Sequence, residues 1–169
     1  MQARLSWFLD RSQDTRDLRA FDCTEPPFKR PPDYRVQYPA RWEWDAQEYL
    51  RRSPTRDGGI RTLVGRDDAG IAAASVWRER DQGLVIDLLA MGVARRCRGL
   101  HLGDEVMDET LNEITGAAYA RGYREVELRG LADDRNTASR QMLQRWDFEY
   151  AGPGEPGVSD YGRRLLIAI

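Results

Sequence analysis

The stretch Leu84–Val93, LVIDLLAMGV, is apolar throughout except at Asp87 and Gly92. Successive side chains of a strand point to opposite faces, so a strand of this composition must be covered on both sides. It predicts a central strand with layers packed above and below it, and it excludes a sheet that keeps one face in water. The other elements have to be arranged around that requirement.

Upstream, ARLSWFL reads as a short first strand and DTRDLRAF as a short helix. The segment from Cys23 to Pro39 is too rich in proline for regular structure and is long for a connection, which marks a functional or flexible loop. RWEWDAQEYLRR then spaces Trp42, Ala46, Tyr49 and Leu50 as an amphipathic helix. IRTLVGR, IAAASVWRE and the central run are joined by the turns DDAG and RDQG, the signature of an antiparallel meander. Leu102, Val106, Leu111, Ile114 and Ala118 form the stripe of a long helix that ends near Gly122. REVELRG is a strand, Asp134 or Asn136 caps a further helix to about Trp146, and FEYAG and YGRRLLIAI close the chain as two strands. The order predicts one α/β domain, residues 1–169, with a mixed, mostly antiparallel sheet flanked by helices.

Charge and cysteine usage narrow the function classes. The 26 basic and 28 acidic residues leave a net charge of -2, so nothing in the total favours a phosphate backbone as partner. His101 is the single histidine, and Cys23 and Cys97 stand far apart, so cysteine and histidine cannot supply a closed four-ligand zinc site and no metal is expected. The thiols are expected to be free in a reducing cytosol. No stretch is long and apolar enough for a signal peptide core or a membrane span, and a cytoplasmic protein with no membrane partner is expected. A homodimer is compatible with all of this.

The chemistry concentrates where the central run ends. A strand that turns sharply into a helix aims several unpaired N–H groups at one point, where the helix dipole adds partial positive charge. Such a junction binds anions without needing a lysine. Arg95, Arg96 and Arg98 stand beside it, and Gly99 and Gly103 let a phosphate approach the backbone.

Here the chain resembles the GNAT superfamily of N-acetyltransferases. Their acetyl-CoA loop, Arg/Gln-x-x-Gly-x-Gly/Ala, is similar to Arg98-Gly99-Leu100-His101-Leu102-Gly103, and a second landmark is similar to Asn136, Ser139, Met142, Leu143 and Phe148. The resemblance extends from about Val85 to Ala151. It implies an acyl-CoA cleft at the strand–loop–helix junction near residues 91–104. It also implies that the Met91 and Val93 backbones pair with the pantetheine arm, that Arg98 through Gly103 cradle the pyrophosphate, and that Asn136 lies near the sulfur, while Ser139 is a coenzyme-binding candidate or a small packing residue. The sequence departs from the family pattern at three positions. His101 takes the middle glycine of the cradle, Leu143 stands where many members carry a tyrosine acid, and Asp147 replaces the glycine before Phe148.

Acetyl transfer to an amine needs a proton acceptor, and Asp87, alone among the apolar residues of the central strand, is the candidate base. Tyr161 and Tyr150, ahead of Tyr123, are the candidates to replace the missing acid. Trp42, Trp44 and Tyr49 are core residues by default, part of which can wall an acceptor pocket. The expected activity is acetyl transfer from acetyl-CoA to the primary amine of a small molecule or peptide. The alternatives are a non-catalytic acyl-CoA-binding sensor and, through the faint similarity of FDCTEPP, a toxin-type enzyme acting on aminoacyl-tRNA.

Overall fold

A computed structural model describes residues 5–24, 41–52 and 59–168. The expected loop from Cys23 to Pro39 therefore lies, beyond Thr24, outside the described residues. The central apolar run forms β4 (Val85–Val93), the fourth strand of a seven-stranded sheet. The meander before it is β2 (Ile60–Asp67) and β3 (Gly70–Arg80), with β1 (Ser6–Leu9) on the outer edge. After β4 come β5 (Glu125–Asp133), β6 (Glu149–Pro153) and β7 (Val158–Leu166). The spatial order is β1-β2-β3-β4-β5-β7-β6, and every neighbouring pair is antiparallel except β4 with β5.

Helices cover both faces, as β4 requires. On one face lie α1 (Ser12–Asp17), a 3-10 turn over Leu18–Ala20, and α2 (Arg41–Arg52). Leu18, Phe21 and Leu50 pack there against Val64, Ala74 and Val76. On the other face lie α3 (Leu102–Ala120) and α4 (Thr137–Arg145), whose Met107, Ile114 and Leu143 pack with Trp77, Ile86 and Leu128.

Gly92 sits inside the apolar run because α2 comes close there. A Cβ on it would lie 2.8 Å from the Leu50 methyl and 3.2 Å from Cys23 Sγ. A larger residue would have to push the Leu50 side chain and its neighbours away from β4. The Gln47 side chain fixes that segment further, accepting from the backbone N–H groups of Cys23 at 2.8 Å and Thr24 at 3.2 Å.

Several boundaries differ from the sequence reading. The first helix begins at Ser12 rather than Asp14 and tightens into the 3-10 turn after Asp17. β5 continues past Gly130 to Asp133, and β7 starts at Val158 rather than Tyr161. Each extension pairs with the other, Asp133 opposite Val158 and Leu131 opposite Asp160, so a long-range ladder stabilises residues that look like loop on their own. Asp147 adopts φ 58°, the left-handed conformation for which the family uses glycine, and the N–H of Phe148 closes the end of α4 on Leu143 O at 3.0 Å. Aspartate is among the few residues that tolerate this conformation.

Among the described residues, no helix is long and apolar enough to cross a membrane.

Candidate active site

The parallel pair β4–β5 is joined only from Val85 opposite Glu127 to Leu88 opposite Gly130. Beyond that point β4 remains paired with β3, while a cleft separates it from β5. A bulge marks the change: Val76 pairs with Ala90 and Trp77 with Leu88, leaving Leu89 as an extra residue. The direction of the peptide groups follows from the last bond of that ladder. Ala94 N–H donates to Ala72 O at 2.7 Å, so the alternate residues Gly92 and Ala90 face β3. The N–H and C=O groups of Met91 and Val93 therefore face the cleft, ready to pair with an extended ligand.

The cleft has two chambers of about 330 and 380 Å³. They meet at Trp42, Ala46, Met91, Asn136, Ser139 and Met142, which line both. The chamber nearer α3 is lined also by Val93, Arg98 and Gly103, together with Cys23, Glu43 and Arg145. The other chamber runs between Asp45 and Tyr49 of α2 and Leu131, Asp133 and Val158 of the β5–β7 pair.

The loop into α3 is shaped to present backbone. Gly99 has φ 78° and His101 has φ 59°, both left-handed, and His101 stands at the N-cap without giving α3 a capping hydrogen bond. The first N–H groups of α3 therefore point outward uncapped, as an anion site requires. The His101 side chain is exposed, so it tolerates the position that glycine fills in the family. A Cβ at Gly103 would touch only Met142 Sδ, at an ordinary 3.8 Å, and one at Gly99 would meet nothing within 4 Å. Packing within the protein does not require either glycine; the open space lies where a ligand would approach. Leu102 is buried in the core by its side chain, so it can serve a ligand only through backbone, while Leu100 is exposed.

Asn136 and Ser139 bond each other at the start of α4. Ser139 N–H donates to Asn136 Oδ1 at 3.1 Å, and Asn136 Nδ2 pairs with Ser139 Oγ at 2.7 Å. Of the two caps the sequence allowed, Asn136 is the one used. Arg98 donates to Glu43 Oε2 at 2.9 Å and to the carbonyl oxygen of Cys23. Arg145 and the Trp146 indole both donate to Asp104, at 2.8 and 3.1 Å, tying the first turn of α3 to the end of α4 and holding the Asp104 carboxyl below its usual range. Burial pushes the Cys23 thiol up to about 12, against a smaller opposing effect of Arg98.

The expected coenzyme residues Met91, Val93, Arg98, Gly103, Asn136 and Ser139 thus meet in one cleft. The expected catalytic residues do not join them. Asp87 lies on the joined part of β4, opposite Arg129, and forms a bidentate pair with Arg80 at 2.6 and 2.8 Å. Tyr161 is 1% exposed and its hydroxyl accepts from Arg140 Nε at 3.1 Å, while Tyr150 is exposed on the edge strand, its ring 6.0 Å from that of Tyr161. None of the three lines either chamber.

Sequence reasoning missed Asp45, Asp133 and Arg135. Asp133 accepts from Arg135 Nε at 2.9 Å and NH2 at 2.8 Å, and this pairing lowers its pKa. The same guanidinium lies over the Trp42 ring at 5.2 Å, bridging the two walls of the cleft.

Solved structures share this architecture over nearly the whole chain. The ribosomal-protein-S18-alanine N-acetyltransferase from Escherichia coli matches with a TM-score of 0.66 at 11% identity, covering 98% of this chain and 96% of its own. The fold is that of the GNAT acetyltransferases. A GNAT-family acetyltransferase from Staphylococcus aureus MU50 gives a TM-score of 0.63 at 13% identity, with 96% and 99% covered. Nourseothricin acetyltransferase gives 0.59 at 16% identity, with 97% and 99% covered. No family model and no curated relative matches the sequence. In the GNAT fold of this chain, the parted β4–β5 pair and the uncapped loop before α3 lie side by side.

Proposed function

We propose that this chain is an acetyl-CoA-dependent N-acetyltransferase that transfers the acetyl group directly to a primary amine. The observation that carries the reading is the free edge of β4, where Met91 and Val93 face a cleft that leads to the uncapped N-terminus of α3. A pantetheine arm is an extended chain of amides that suits such an edge. A pyrophosphate suits the helix start, with Arg98 and Arg145 lining the same chamber.

Acetyl-CoA, when bound, supplies an activated thioester carbonyl. The chain's own residues hold the two reactants in line, which replaces a bimolecular encounter by an oriented one. The amine nitrogen forms a bond to the acetyl carbon, the carbon–sulfur bond breaks, the ammonium proton leaves, and the departing thiolate takes up a proton. Leu143, Met107 and Leu88 make the inner wall of the acceptor chamber apolar, excluding water from that bond exchange. Asp133, kept anionic by Arg135, is a weak base, so the proton is carried to solvent by water at the open end of the cleft.

The test is thiol release from acetyl-CoA in the presence of a panel of amines. Release that depends on an amine supports the reading. Coenzyme binding without release on any amine favours the second reading, a non-catalytic acyl-CoA sensor. That alternative draws support from the placement of Asp87, Tyr150 and Tyr161 outside the cleft.

A further inference from the structure

We infer that the acceptor chamber selects a small, unbranched amine that carries a second positive charge at its far end, such as a diamine or polyamine. This rests on the acetyltransferase reading and adds the chemical class of the acceptor to it.

Charge divides the cleft. The chamber nearer α3 is lined by Arg98 and Arg145 with Glu43, as an anionic coenzyme needs. Among its described lining residues the acceptor chamber holds Asp45 and Asp133 and no lysine, arginine or histidine. These carboxylates stand on opposite walls, one on α2 and one at the end of β5. Between them Tyr49, Leu131 and Val158 offer an apolar surface against which methylene groups can lie. A volume of about 380 Å³ lies in the range of small-ligand sites.

The chain itself shows that this wall accepts a cation. The Arg135 guanidinium is held by both oxygens of Asp133 and lies 5.2 Å over the Trp42 ring, the carboxylate-and-aromatic seat that recognises organic cations. Asp45 in turn meets Arg41 at 3.5 Å. Both arginine side chains are more than half exposed, 57% for Arg135 and 59% for Arg41. Ion pairs of that exposure are weak and exchange readily. An incoming ammonium can replace either arginine without leaving a buried charge unpaired. An acceptor with a carboxylate in place of the second ammonium would meet Asp45 or Asp133 with like charge.

The experiment is a calorimetric titration of the protein, saturated with coenzyme A, using three five-carbon amines: 1,5-diaminopentane, n-pentylamine and 5-aminopentanoate. The diamine is expected to bind on the order of tenfold tighter than pentylamine, and the amino acid most weakly. Asp133→Asn and the more exposed Asp45→Asn should each shrink the gap between diamine and monoamine. Equal binding of the three, binding of none, or a preference that survives both substitutions overturns the inference. Thiol release from acetyl-CoA is measured separately with the diamine. A diamine that binds with the stated preference but releases no thiol contradicts acetyl transfer and leaves the recognition chemistry standing.

Discussion

The Arg98 guanidinium is bonded to Glu43 at 2.9 Å, which joins the loop before α3 to the first turn of α2. A coenzyme phosphate must therefore share or displace a carboxylate that already holds this arginine. Glu43→Gln is expected to tighten coenzyme A binding about two- to fivefold, the range of a partly exposed ion pair, with the gain largest at low ionic strength and shrinking as salt screens it. Isothermal titration checks it. Weaker binding in the variant would show that Glu43 positions Arg98 rather than competing for it.

His101 holds φ 59° at the helix start. Glycine removes the left-handed cost of about 1–2 kcal/mol and returns part of it as chain entropy, so His101→Gly should stabilise the fold by roughly 0.5–1 kcal/mol. Coenzyme binding should be kept or tightened. Gly103→Val should unfold at nearly the wild-type denaturant concentration, since its Cβ has room at 3.8 Å from Met142 Sδ, yet lose coenzyme affinity. Chemical denaturation and coenzyme titration of the two variants side by side separate these effects.

Asp87 pairs with Arg80 on the joined part of β4 and lines neither chamber. Asp87→Asn should leave turnover within about twofold and cost on the order of 1 kcal/mol or less of stability. A steady-state rate that falls a hundredfold with coenzyme affinity intact would return Asp87 to the chemistry.

Burial pushes the Cys23 thiol up to about 12 from its ordinary value near 9 in the unfolded chain. The folded state keeps its proton over that window while the unfolded state loses it. Stability from this group is therefore complete below about 9 and is lost as pH rises towards about 12. Urea unfolding of the wild type and Cys23→Ala at pH 8 and at pH 10.5 should show a smaller decline in the variant. An identical decline would mean that the thiol contributes nothing to the alkaline limb.

The residues that made the fold legible are those whose neighbours in sequence are also their neighbours in space. The unbroken apolar run of β4, the turns of the meander and the stripe of α3 are local patterns, and the loop from Arg98 to Gly103 is one as well. The sequence could not place Asp87 relative to the cleft, because alternation tells that a strand is covered, not where it parts from its neighbour. That point, after Leu88 and Gly130, is set by the bulge at Leu89 and by the β5–β7 ladder. Tyr161 falls on the face of β7 that packs under α4, which no local pattern reveals. Asp133 reads as loop until β7 lengthens β5, and its bridge through Arg135 to Trp42 joins segments that lie 93 residues apart in number only.

Coenzyme A lying along the free edge of β4 would protect particular backbone amides, and hydrogen exchange followed by NMR reads them one by one. Without ligand, the Met91 and Val93 amides should exchange faster than those of Ala90 and Gly92, which face β3. Saturating coenzyme A should slow Met91 and Val93 on the order of tenfold or more while leaving Ala90 and Gly92 little changed. Unaltered exchange at Met91 and Val93 under saturating coenzyme A would mean that the coenzyme does not pair with this edge.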